Sequence, residues 1–243
     1  MPPTVVLLPG NMCDARLWRG GDGVILDMLG RHHISGIFHA DLTLDDSIAA
    51  MAARALAETI GPLLPIGFSM GAIVAVEMAV LAPERIEGLV LTGYNATADL
   101  PQRAARRPDQ QAEVRAGGLE RVLVEELKPN YLAMQNRQDT RLLNLLRDMG
   151  MALGVDVFIQ QSEALRLRKD RRHAIAGFNL PVLYACGVED TLCPPAWHQQ
   201  WSKFSQNAHF EVAEGAGHML PLEASESFAA IIDRWLNMQG ECA

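Results

Sequence analysis

Leu63-Leu-Pro-Ile-Gly67-Phe-Ser-Met-Gly71 decides how this chain folds. Leu63 to Ile66 is a short apolar run with the character of a buried strand, and it leads straight into Gly67-Phe-Ser-Met-Gly71. From Ala72 to Leu81 the sequence is apolar nearly all round, as expected of a helix packed against a sheet. A G-x-S-x-G pattern at a strand-to-helix junction makes a sharp, strained turn, where a Cβ at either glycine would collide with neighbouring backbone. Such a turn lifts the Ser69 hydroxyl out of the sheet. It also sets Ser69 at a helix N-terminus, where N–H groups and the helix dipole favour negative charge on a substrate oxygen.

Other strands lie on both sides of this junction. Thr4 to Leu8 is β-branched and aliphatic and ends at Pro9-Gly10; His33 to His39, Gly88 to Thr92, Pro181 to Ala185 and Ala208 to Val212 read as further strands. Helices are expected from about Ile48 to Ile60, around Ala196 to Phe204 and near Glu223 to Leu236, with an irregular stretch around Trp18. Strands alternating with helices imply an α/β fold, a doubly wound and mostly parallel sheet covered on both faces. Residues 97–176 differ. They hold 14 of the 21 Lys and Arg but only 11 of the 29 Asp and Glu, and are helix-prone without convincing strands, for example Leu119 to Lys128 and Thr140 to Met149. The expected organisation is a core from 1–96 and 177–243, with 97–176 inserted as a helical cap.

Composition narrows the function. The 243 residues are 49% hydrophobic and 21% charged, an ordinary globular balance, and the formal charge of −8 argues against nucleic acid as a partner. The apolar runs fall short of the roughly 18 residues of a membrane span, and Met1-Pro-Pro-Thr4 has no basic leader, so a soluble, cytoplasmic protein is expected. Cys13, Cys186, Cys193 and Cys242 show neither disulfide-scaffold density nor zinc spacing, so buried or incidental free thiols are expected, and catalysis by a serine nucleophile would require no metal and no organic cofactor.

A serine hydroxyl is a poor nucleophile at neutral pH and needs a base, normally a histidine whose tautomer a carboxylate fixes. Of seven histidines, His218 in Glu214-Gly-Ala-Gly-His-Met-Leu220 follows the last strand through a glycine-rich loop, at the sheet edge where Ser69 lies. His32, His33, His39, His173, His198 and His209 lack that setting. Asp190, in Gly187-Val-Glu-Asp190 beyond the strand ending at Ala185, fits best as the carboxylate; Glu189 should point the other way, and Asp99 is held in reserve. Two N–H donors are needed for the oxyanion. Met70 supplies one, and Asn11 the other, since Pro9 has no N–H and Gly10 permits close approach.

Leu7-Leu-Pro-Gly-Asn11, Gly67-Phe-Ser-Met-Gly71, Gly187-Val-Glu-Asp190 with Pro194-Pro195, and Gly215-Ala-Gly-His218 span nearly the whole chain. Together they resemble the α/β-hydrolase fold superfamily, specifically its small, lidded, esterase-like members. The resemblance implies a cap inserted after the strand at 88–92. Two features depart from it: Pro9-Gly10 stands where many relatives open the oxyanion loop with His-Gly, and the antiparallel hairpin that begins many relatives is expected to be shortened or absent.

The expected activity is hydrolysis of a carboxylic ester of small to medium acyl size through Ser69, His218 and Asp190 and an acyl-enzyme. The same residues serve a thioesterase, a carbon–carbon bond hydrolase or a perhydrolase, and a ligand-binding module without turnover is the alternative of another class. Leu123, Leu127, Tyr131, Met134, Leu146, Met149 and Phe158, with Met219, are the expected substrate-binding side chains, equally suited to packing between cap helices. Arg166-Leu-Arg-Lys-Asp-Arg-Arg172 reads as a solvated helix face or as an attractor for an anionic or carrier-linked ester or thioester.

Overall fold

The computed structural model describes residues 1–127 and 131–241. Strands β1 (Thr4–Leu8), β2 (Gly36–His39), β3 (Leu63–Phe68), β4 (Leu89–Thr92), β5 (Val182–Gly187) and β6 (Ala208–Ala213) form one sheet in the order β2-β1-β3-β4-β5-β6. Every neighbouring pair is parallel. The winding direction reverses between β1 and β3, so the loops leaving their carboxyl ends open a crevice there.

Alternation along β1 sorts the core into two layers. Val6 and Leu8 pack with helices α2 (Ile48–Ala57) and α3 (Met70–Leu81), while Val5 and Leu7 pack with α1 (Gly20–Leu29) and the last helix. β3 runs two residues past the expected Ile66 because Gly67 and Phe68 pair with Leu91 and Thr92. The irregular stretch expected around Trp18 instead holds a 3-10 turn (Ala15–Arg19) and α1. Gly20, Gly21 and Gly23 mask α1 in the sequence, and burial of Ile25, Met28 and Leu29 sustains it.

Between β4 and β5 the described residues form helices and turns without a strand: α4 (Pro101–Glu113), the single turn α5 (Leu119–Arg121), α6 (Thr140–Arg166) and α7 (Arg172–Ala176). The continuous helix expected from Leu119 to Lys128 is broken up. Wide π turns at 114–118 and 122–127 flank α5, Gly117 has a left-handed φ of 97°, and Lys128 lies outside the described residues. The helix expected to end at Met149 continues to Arg166, kinked at Gly154. Met12 reaches into this segment to pack with Val114, Leu119, Val122, Leu123 and Phe158.

The chain then completes the sheet with α8 (Pro195–Ser202), the short α9 (Leu220–Glu223) and α10 (Ser225–Glu241). Cys13, Cys186 and Cys193 are buried; Cys242 lies outside the described residues. Among the described residues no helix is long and apolar enough to cross a membrane.

Candidate active site

β3 ends in the turn that its glycines require. Ser69 has φ 53° and ψ −113°, a conformation that costs a side-chain-bearing residue about 1–3 kcal/mol, and its N–H donates to the Thr92 carbonyl of the neighbouring strand at 2.8 Å. A Cβ on Gly67 would lie 2.6 Å from the Ala72 nitrogen, and one on Gly71 would run into the Leu8 carbonyl. α3 begins at Met70, whose N–H, in the first turn, has no carbonyl four residues back within the helix.

Two other strand ends bring the partners. His218 Nε2 lies 3.0 Å from Ser69 Oγ, and His218 Nδ1 lies 2.8 Å from Asp190 Oδ2. Asp190 Oδ1 accepts the N–H groups of Leu192 at 2.9 Å and Cys193 at 2.8 Å. Burial by itself would raise the Asp190 carboxyl. The His218 charge and hydrogen bond, with the Cys193 N–H, outweigh it and hold the group below the usual carboxylate value. The ionised carboxylate favours the tautomer with the proton on Nδ1, leaving Nε2 to accept from the serine. Phe68 and Tyr131 flank the imidazole, with ring centroids 5.1 and 5.6 Å away.

The competing residues are engaged elsewhere. Glu189 does point away, accepting the Met134 N–H at 2.8 Å. Asp99, the reserve carboxylate, is buried against Arg107 at 2.6 Å and Arg168 at 2.9 Å. His198 is fully buried, accepts the Tyr94 N–H at 2.9 Å, and is brought down to a pKa of about 4 by burial, so it is neutral at pH 7.

Two residues that sequence reasoning missed hold the loops in place. Gln161 of α6 is 1% exposed, and its Oε1 accepts from the Met12 N–H at 2.8 Å and Asn11 Nδ2 at 3.1 Å. Its Nε2 donates to the Leu42 carbonyl at 3.1 Å. This amide braces the Asn11-Met12 turn, where Met12 takes a left-handed φ of 54°. Glu223 Oε1 accepts the N–H groups of Gly217 and Met219, both at 3.0 Å, and its Oε2 accepts that of Ala133 at 2.7 Å. The histidine loop is thereby tied to residue 133, and the Tyr131 carbonyl accepts the His218 N–H at 2.7 Å.

Ser69 and His218 open on a cleft of about 390 Å³, which Asn11 and Met70 also line. Of the expected substrate-binding side chains, Leu127, Tyr131 and Phe158 line it. The others need correction. Leu123 and Leu146 border a separate small cavity, Met149 and Met219 are fully buried in the core under the sheet, and Met134 is 73% exposed. Four arginines line the cleft instead: Arg103, Arg106 and Arg107 of α4, and Arg168.

The basic run 166–172 is not one solvated helix face, because α6 ends at Arg166. Arg166 pairs with Glu163, Arg171 with Glu77 and Arg172 with Asp170, each at 2.6 Å, while buried Arg168 pairs with Asp99; within the run, Arg168 alone reaches the cleft. Among the described residues no group of three or more His, Cys, Asp or Glu is placed to hold a metal ion.

Comparison with known proteins bears on this arrangement. A model of the alpha/beta hydrolase family matches residues 5–231. A pimeloyl-[acyl-carrier protein] methyl ester esterase from Yersinia pseudotuberculosis serotype IB (strain PB1/+) is 30% identical over 205 residues, covering 76% of this chain and 74% of that protein. Two solved structures are similar in fold. A thermophilic esterase from Thermogutta terrifontis has a TM-score of 0.83 at 22% identity, covering 97% of this chain and 90% of that one. The enol-lactonase from Burkholderia xenovorans LB400 has a TM-score of 0.83 at 19% identity, covering 98% and 92%. With a family model that spans nearly the whole chain, over a parallel sheet of the same fold, the chain belongs to the alpha/beta hydrolase family.

Proposed function

We propose that this protein is a serine hydrolase of carboxylic esters, in which Ser69 is the nucleophile, His218 the general base and acid, and Asp190 the group that orients the imidazole. The continuous relay from Ser69 Oγ through His218 to Asp190, with contacts of 3.0 and 2.8 Å, carries this reading. His218 Nε2 takes the serine proton as Oγ attacks the ester carbonyl. The negative charge that collects on the carbonyl oxygen is met by the N–H groups of Met70 and Asn11. Collapse of the tetrahedral adduct breaks the ester C–O bond, and His218 returns the proton to the departing alcohol. Water, deprotonated by the same nitrogen, then attacks the acyl-enzyme, releasing the acid and restoring Ser69. Asp190 stays ionised throughout.

Residues 97–176 act as the cap. Leu127, Tyr131 and Phe158 meet the acyl chain, and the cleft volume suits an acyl group of small to medium size. The similarity to esterases of a carrier-linked methyl ester supports ester over thioester as the bond cleaved. The test is treatment with a fluorophosphonate probe and peptide mapping, together with hydrolysis of p-nitrophenyl esters of graded length. Labelling confined to Ser69 and turnover of short esters are expected; folded protein that takes no label and binds an ester without consuming it would be a ligand-binding module.

Gln161 enters this mechanism as a positioning residue. Replacing it with Leu leaves the Met12 N–H buried without an acceptor and frees the loop that carries the Asn11 donor. We expect kcat to fall about 10- to 100-fold with KM changed far less, since removal of a single oxyanion donor is worth about 10²–10³. Gln161→Glu keeps the acceptor and is expected to recover part of that loss. Steady-state kinetics on a short p-nitrophenyl ester check this, and equal loss in both variants would remove the assignment.

A further inference from the structure

The arginines of the cleft are unevenly neutralised. Arg106 is paired with Glu126 at 3.1 Å. Arg107 and Arg168 share a single carboxylate, the buried Asp99. Arg103 has no carboxylate within ion-pair distance among the described residues; its Nη2 donates to a neutral acceptor, the Leu192 carbonyl, at 3.1 Å. Four guanidinium groups thus meet two carboxylates at the cleft, Asp99 and Glu126, the second of which also lines it, and Arg103 is the arginine left without a carboxylate partner among the described residues. They also feel one another: burial lowers the Arg168 pKa, Asp99 opposes this, and the charges of Arg107 and Arg103 lower it further.

Much of the remaining lining, including Ile73, Leu127, Phe158 and Leu165, is apolar. An anion entering here leaves water for a weakly screened environment, where hydrogen bonds between ionised groups are strongest. Arg103 is also fixed relative to the proposed triad. The Leu192 residue whose carbonyl holds its Nη2 donates its own N–H to Asp190 Oδ1 at 2.9 Å. A planar guanidinium with uncommitted N–H groups matches the two oxygens of a carboxylate.

We propose that Arg103 anchors a carboxylate subsite in this cleft, and that the ester hydrolysed is a half-ester whose acyl part carries a second, free carboxylate. This rests on the serine-ester-hydrolase reading above. The two are separable because the subsite predicts selectivity and binding, whereas the parent reading predicts turnover.

The test compares kcat/KM for the monomethyl esters of the straight-chain dicarboxylic acids from succinate to suberate with that for methyl esters of monocarboxylic acids of equal length. Wild type and Arg103→Gln are measured on both series. The wild-type protein is expected to prefer at least one half-ester about 10-fold or more, and that preference to fall about 10- to 100-fold in Arg103→Gln, with Arg103→Lys between them. A purely structural role for Arg103, acting through Leu192, would lower both series in the same proportion and overturn the proposal. So would a wild-type ratio near one, or competitive inhibition by inorganic phosphate without half-ester selectivity. If neither series is turned over, the ester reading fails. The subsite is then judged by calorimetry with the free dicarboxylates: heat of binding in wild type that Arg103→Gln loses supports it, and no binding to wild type ends it.

Discussion

Ser69→Ala is expected to lower kcat/KM on any hydrolysed ester by about 10⁴- to 10⁶-fold while leaving the fold intact. Removing the nucleophile of a serine–histidine–aspartate set costs rates of this order, and what remains comes from the base, the oxyanion donors and binding. Alanine keeps the Cβ that the turn already accommodates, and the Ser69 N–H to Thr92 hydrogen bond is untouched. The loss is confined to one side-chain hydrogen bond with His218, worth about 1 kcal/mol. Circular dichroism and thermal melting should therefore coincide with wild type while the initial rate collapses and fluorophosphonate labelling disappears. A rate within ten-fold of wild type would show that a different group performs the attack, and would detach the strained turn from the chemistry.

Gly71→Ala should have the opposite signature, a loss of fold before any loss of chemistry can be read. The added methyl group would overlap the Leu8 carbonyl oxygen and lie 2.6 Å from the Pro9 oxygen. Both obstacles are main chain, so no side chain can turn aside to relieve the overlap. Leu8 ends β1, which is hydrogen-bonded on both sides, to β2 and β3, so a shift there propagates across the sheet. We expect destabilisation above about 4 kcal/mol, a large share of a typical domain's 5–15 kcal/mol, and recovery mainly as insoluble protein. Gly30→Ala is the comparison. Its φ is −63°, and a Cβ there meets only ordinary contacts at 3.5 and 3.7 Å, so urea unfolding should report wild-type stability or slightly more. If Gly71→Ala unfolds at the same denaturant concentration as Gly30→Ala, the close approach of α3 to β1 is not a constraint.

The four central strands β1, β3, β4 and β5 were legible in the sequence because strands covered on both faces become largely apolar runs, here bounded by glycine or proline, whereas the edge strands β2 and β6 carry His39, His209 and Glu211. The serine, aspartate and histidine were legible for a related reason: each lies just beyond a strand, so their convergence on one edge follows from the order of elements alone. α1 was not, because its three early glycines oppose helix formation and only tertiary burial of Ile25, Met28 and Leu29 overrides them. The cleft lining was read least well. An apolar residue at helical spacing packs equally well against a neighbouring helix, which is where Met149 went. Conversely, no motif singled out the arginines of α4, and only the fold brings Arg103 and Arg107 into the wall of the cleft that Ser69 also lines. Gln161 carries no local pattern at all, since its partner Asn11 is 150 positions away in the chain.

The bond from Gln161 to the Asn11-Met12 turn also bears on how such a chain can be recombined. The same segment, residues 97–176, furnishes Arg103, Arg107 and Arg168 to the cleft and the amide that braces the turn beside the serine. A chimaera that replaced this segment with the corresponding part of a relative would exchange the pocket wall and, in the same stroke, remove the support of the loop assigned to hold the oxyanion. Unless the donor brings an acceptor to the place of Gln161, altered selectivity and a slower reaction arrive together. With these assignments, substrate preference and rate in this chain are expected to change together rather than as independent modules.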